Sequence, residues 1–99
     1  VYVTDEQSHV WALERESGAS AWKQDKLLNR DLTAPEPFSN YIAVGDAEGY
    51  LHLLSRYDGR IVGRVKVDGD GILARPLAVS ERLYVYGNGG TLAAFSVVE

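Results

Sequence analysis

The 99-residue chain contains no cysteine. That removes disulfides, thiolate metal sites and cysteine nucleophiles together, and it leaves the redox compartment undecided. Long apolar runs are also missing. Uninterrupted hydrophobic stretches last only a few residues, where a spanning helix needs about 20. Nor is there a surplus of basic charge. The sequence carries 10 Lys and Arg against 14 Asp and Glu, a formal net charge of −4, so little is available to neutralise phosphates and a nucleic-acid partner is not expected. The opening Val1-Tyr2-Val3 reads as a strand, without the charged and then apolar pattern of a secretory leader. What remains, at 45% hydrophobic residues, has the balance of one small soluble domain or part of a larger one.

The chain repeats itself. A shift of 41 positions aligns Val3, Val44 and Val85; Asp5 and Asp46; Val10, Leu51 and Leu92; Leu13, Leu54 and Phe95; Arg15 and Arg56; Gly18 and Gly59; and Pro35 and Pro76. Within a repeat the apolar spacing has the period of strands, and short runs of Val, Tyr, Ile and Leu are separated by Gly, Asn, Asp and Ser. The middle unit predicts four strands, over Leu32–Phe38, Tyr41–Val44, Tyr50–Leu54 and Arg60–Val67. Their connections, Ser39-Asn40, Asp46 to Gly49 and Tyr57-Asp58-Gly59, are short enough to enforce antiparallel hairpins.

A four-stranded meander recurring at this length has the size of one propeller blade, which buries its faces only by stacking on neighbouring blades. The expected fold class is therefore all-β, a segment of a β-propeller. Residues 1–31 are expected to hold the last three strands of one blade and a connection, residues 32–68 a complete blade, and residues 69–99 the first three strands of a further blade. Since a ring needs roughly four to eight blades, these residues are either a portion of a longer chain or assemble with other copies, and a portion is the expectation.

Residues Ala12 to Trp22, Ala-Leu-Glu-Arg-Glu-Ser-Gly-Ala-Ser-Ala-Trp, resemble the repeat of quinoprotein-type propellers, Ala-x-Asp/Glu-x-x-Ser/Thr-Gly-x-x-x-Trp. Gly18 would close a hairpin and Trp22 would pack blade against blade. The second copy keeps the glycine as Gly59 but has Gly63 where the tryptophan belongs, so that junction must be packed otherwise. Beyond this generic repeat, the runs Leu27 to Pro35 and Val44 to His52, and the ending Gly90 to Ser96, resemble the last blades of the BamB family of β-propeller lipoproteins. The resemblance covers essentially the whole chain. It implies an eight-bladed, non-enzymatic scaffold of the outer-membrane β-barrel assembly machinery, on the periplasmic face of a Gram-negative outer membrane. It further implies POTRA domains of the barrel-forming subunit and unfolded outer-membrane proteins as partners, a membrane tie only through a lipid anchor absent from this chain, and a last fourth strand supplied from the amino-terminal part of the full protein.

The alternative is a fragment of a quinoprotein dehydrogenase using pyrroloquinoline quinone. No Asp, Glu or Asn group is placed by a recognisable motif to hold calcium or act as a base, so no catalytic, cofactor-binding or metal-binding residue is expected. Asp68-Gly69-Asp70-Gly71 opens like a calcium loop, but Val79 stands where the closing bidentate Glu is required, and a Gly- and Asp-rich turn is the simpler reading. His9 and His52 have no Cys, Asp or Glu at metal-ligand spacing and read as strand residues. Asp5 and Asp46 both fall where a second strand turns into a third, where a carboxylate can hold the turn backbone. The aromatic residues Trp11, Trp22, Phe38, Tyr41, Tyr50 and Tyr84 are expected to pack rather than to stack on a ligand. The candidate partner-binding residues are Leu27, Leu28 and Arg30, an apolar pair beside a cation in a connection that should lie at the ring surface.

Overall fold

Gly18 and Gly59 both hold left-handed backbone, with φ of 72° and 77°, at the tips of two hairpins that set the layout of the chain. In the computed structural model, which describes residues 1–97, ten strands form three antiparallel sheets. The first sheet contains β1 (Tyr2–Thr4), β2 (Val10–Leu13) and β3 (Ser20–Gln24). The second contains β4 (Glu36–Phe38), β5 (Tyr41–Gly45), β6 (Tyr50–Ser55) and β7 (Ile61–Lys66). The third contains β8 (Leu77–Val79), β9 (Arg82–Tyr86) and β10 (Leu92–Ser96). Within every sheet the spatial order follows the chain, so each is a meander. Residues 98 and 99, the end of the expected third unit, lie outside the described residues.

The middle sheet is packed on both faces, and this explains its nearly continuous apolar strands. Ile42, Val44 and Leu54 point toward the first sheet and join Val10, Leu27, Trp22, Tyr2 and Leu32. Ala43, Leu51 and Leu53 point the other way and join Leu83, Val85, Ile72, Phe38 and Phe95. Alternation along a strand produces this division, because successive side chains leave opposite faces. The third sheet has only one covered face: Leu83 and Val85 are buried, whereas Tyr86, Leu77, Val79 and Leu92 are exposed.

One strand departs from its expected length. The run beginning at Leu32 pairs as β-structure only over Glu36–Phe38, with register Glu36 to Ala43 and Phe38 to Tyr41. Pro35 has no amide with which to extend the ladder before Glu36, and Thr33 is tied instead to Gly45, donating its amide to the Gly45 carbonyl at 2.9 Å while its Oγ1 accepts the Gly45 amide at 3.1 Å. Pro35 and Pro76 each stand immediately before the first strand of a sheet, where a missing amide costs nothing in the ladder.

Trp22 reaches from β3 to the second sheet. Its Nε1 donates to the Arg56 carbonyl at 3.0 Å and its ring lies beside that of Tyr2, with centroids 6.1 Å apart. At Gly63 there is open space around the missing side chain, next to an apolar groove of about 300 Å³ between β7 and β10 lined in part by Leu53, Val62, Val65 and Phe95.

Candidate functional site

The connection from β3 to β4 is seated between two hairpin turns. The Asn29 amide donates to the Gln7 carbonyl at 3.2 Å, the Leu32 amide to Ser8 Oγ at 3.3 Å, and the Ala47 amide to the Arg30 carbonyl at 2.9 Å. Asn29 and Asp31 take left-handed backbone, φ 63° and 51°, which short polar side chains tolerate better than others. The next connection, from β7 to β8, is seated in the same way. Ile72 donates to the Asp46 carbonyl at 2.9 Å and Asn88 donates to the Gly71 carbonyl at 2.8 Å. One surface therefore carries both connections and the turns β1–β2, β5–β6 and β9–β10.

Leu27, Leu28 and Arg30 are separated by this seating. Leu27 is 3% exposed and belongs to the core between the first two sheets, whereas Leu28 is 42% exposed. Arg30 is half-buried, and its Nη1 donates to Asp46 Oδ2 at 3.2 Å and lies 3.8 Å from Glu48 Oε2. The following connection presents an apolar residue that sequence reasoning did not single out, Leu73, at 74% exposure. Nothing in its local sequence distinguishes it from Ile72, which is wholly buried beside Gly45.

Asp46 is the electrostatic centre of the surface. Its Oδ1 accepts the amides of Glu48 at 2.9 Å and Tyr50 at 3.0 Å, and its Oδ2 accepts from His52 Nε2 at 2.6 Å as well as from Arg30. Burial alone would raise its pKa, but these donors, His52 foremost, outweigh it and hold the carboxyl below its ordinary range. An ionised Asp only accepts, so His52 Nε2 carries the proton of this hydrogen bond. His52 Nδ1 is buried with no partner among the described residues. Asp5 repeats the arrangement one sheet earlier. Its Oδ1 accepts Gln7 and His9 amides at 3.0 and 2.9 Å, and its Oδ2 meets Trp11 Nε1 at 2.9 Å and His9 Nδ1 at 2.8 Å. The Trp11 hydrogen bond leads in lowering its pKa to about 2.

Both aspartates thus hold turn backbone, as their positions suggested, and each histidine has a carboxylate partner that linear spacing did not reveal. Each partnership is one carboxylate to one imidazole. Among the described residues no group of three or more His, Cys, Asp or Glu side chains converges as a metal ion requires. Asp68, read as part of a simple turn, has its carboxylate occupied by backbone amides. The expected packing aromatics are covered, Phe38 being buried and Trp11, Trp22, Tyr41, Tyr50 and Tyr84 half-buried. A concavity of about 460 Å³ at the opposite end is lined by Phe38, Ser39, Ser80, Glu81 and Val97.

The family profile described as outer membrane protein assembly factor BamB matches residues 6–99. The chain is 47% identical over 97 residues to the outer membrane protein assembly factor BamB of Pseudomonas aeruginosa, covering 98% of this chain and 26% of that protein. To the Escherichia coli protein of the same name it is 38% identical over 92 residues, 93% of this chain and 24% of that one. The chain therefore spans about a quarter of the length of these curated relatives. Among solved structures, BamB from Moraxella catarrhalis superposes with a TM-score of 0.89 at 29% identity, over 97% of this chain and 28% of that one. A quinohemoprotein alcohol dehydrogenase from Pseudomonas putida HK5 superposes with a TM-score of 0.80 over 96% of this chain and 17% of that one, but at 20% identity, a likeness of fold alone. With stacked meander sheets, a family match over nearly every residue and relatives named as assembly factors and not as enzymes, the chain is a β-propeller segment that belongs to the BamB family of outer membrane protein assembly factors.

Proposed function

We propose that this chain contributes blades to a non-enzymatic scaffold that supports assembly of outer-membrane β-barrel proteins from the periplasmic side of the membrane. In this reading residues 1–31, 32–68 and 69–99 are parts of three successive blades of an eight-bladed ring, and the sheet ending at β10 is completed by a strand from the amino-terminal part of the protein. The membrane tie is a lipid anchor outside these residues. The partners are the POTRA domains of the barrel-forming subunit and unfolded outer-membrane proteins. The observation that carries the reading is 47% identity, across 98% of the chain, to a protein named as an assembly factor.

Work of this kind is geometric: rigid sheets hold loops in place and loops meet the partner. The surface of the two connections suits it. Exposed Leu28 stands two residues from Arg30, whose guanidinium is already steadied by Asp46 and so loses little freedom on binding. Leu27 then serves as the internal anchor of the loop. The test is a pull-down of the whole protein with soluble POTRA domains. Association at micromolar concentration is expected, and its absence at high micromolar concentration overturns the reading. Pyrroloquinoline quinone and calcium with a dye acceptor should produce no dye reduction.

A further inference from the structure

The turns β1–β2, β5–β6 and β9–β10 close by the same backbone bond. Asp5 donates its amide to His9 at 3.1 Å, Asp46 to Tyr50 at 3.0 Å and Gly87 to Thr91 at 2.7 Å. In the first two turns that leading residue also brings a carboxylate, which accepts the amides two and four residues further on. In the third turn the leading residue is a glycine with no side chain to offer. The corresponding amides, of Gly89 and Thr91, are nevertheless taken up by a carboxylate: both donate to Asp68 Oδ2, at 3.0 and 3.3 Å. Asp68 belongs to the connection that precedes the third sheet, and its Oδ1 accepts the Asp70 amide of that same connection at 2.8 Å.

Gly87 does not adopt left-handed backbone, so conformational freedom is not what requires a glycine there. Room is. A Cβ at Gly87 would stand 2.2 Å from Asp68 Cβ and 2.4 Å from Asp68 Oδ2, and a Cβ at Gly89 would stand 2.7 Å from Asp68 Oδ1. The Asp68 side chain therefore occupies the volume that an aspartate at 87 would fill. A second strap runs beside it, since Asn88 Nδ2 donates to the Asp70 carbonyl at 3.1 Å.

We infer that the carboxylate organising this turn has been relocated, in the third sheet, from the turn itself to Asp68 of the preceding connection, so that Asp68 latches the 87–91 turn to the 67–73 connection. The physical consequence differs from sheet to sheet. The turns led by Asp5 and Asp46 carry their organising carboxylate within the turn itself. The turn led by Gly87 is ordered only while the connection is seated, and these two loops of the candidate surface move as one body.

Residue-resolved amide hydrogen exchange on the whole protein tests this. Asp68→Asn keeps the shape of the side chain and removes its charge, and should lower protection at Gly89 and Thr91 by about tenfold or more while leaving Glu48 and Tyr50 unchanged. The exchanged pair D68G/G87D, which returns the carboxylate to the turn, should recover most of the protection that D68G alone loses. Gly87→Asp with Asp68 retained sets two carboxylates in the space of one and should be less stable than the exchanged pair. Undiminished protection in D68N, an equal loss at Glu48 and Tyr50, or an exchanged pair no better than D68G would each overturn the inference.

Discussion

Trp22 fills the space over Gly59: a Cβ placed on Gly59 would lie 2.3 Å from the indole Cε3. The glycine of one sheet is thus the seat for the tryptophan of the sheet before it, and its φ of 77° adds a separate reason for glycine. Gly59→Ala should destabilise the protein by about 2–4 kcal/mol, combining overpacking with left-handed backbone. Trp22→Ala removes the same contact from the other side and should cost about 2–3 kcal/mol, given a half-buried ring. Chemical unfolding of each variant and of the double variant checks the pair. Strong non-additivity is expected, because the two residues share one contact.

Leu27 and Leu28 adjoin in sequence but separate stability from recognition. Leu27→Ala empties a core position and should lower unfolding stability by about 2–4 kcal/mol. Leu28→Ala should stay within about 0.5 kcal/mol of the parent while weakening capture of POTRA domains. Equal partner affinity for L28A and the parent would remove Leu28 from the proposed surface.

Acid should loosen the turns. Asp5 is held at about 2 against an ordinary 3.8, first by the Trp11 indole. Asp68 is lowered chiefly by the Asp70 amide, and Asp46 is lowered by donors that overcome its burial. A carboxyl with a depressed folded pKa binds fewer protons folded than unfolded, so its stabilisation is complete above the unfolded pKa and is lost as pH falls through the folded one. Stability should hold from neutral pH to about pH 5 and then decline toward about pH 2, and Asp5→Asn should make that decline shallower. Urea midpoints across this range provide the measurement.

His52 and Asp46 form a buried pair at 2.6 Å, whereas His9 and Asp5 form a partly exposed one at 2.8 Å. Asp46→Ala strands His52, Arg30 and two turn amides at once and should destabilise by about 3–5 kcal/mol. Asp5→Ala should cost distinctly less, because water can reach the groups it leaves. Thermal unfolding of the two variants side by side tests the ranking.

Residues 1–97 show which features local order determined and which it did not. Turns at Gly18, Asp46–Gly49 and Gly59, and strands such as Tyr41–Gly45 and Tyr50–Ser55, were legible because left-handed backbone, short polar loops and alternating side chains are decided within a few residues. The recurring four-stranded unit likewise implied a sheet covered by its neighbours, and Ile42, Ala43 and Val44 are all buried in it. Tertiary structure alone decided that Leu27 turns inward and Leu28 outward, that Leu73 is exposed beside buried Ile72, and that His52 sits on Asp46. It alone brought Asp68 to the empty place at Gly87. Each of these depends on which chemical group from a distant part of the chain arrives at a given point in space. Spacing along the chain carries the register of a repeat, but where one repeat borrows a side chain from another, the borrowing is visible only once the sheets are packed.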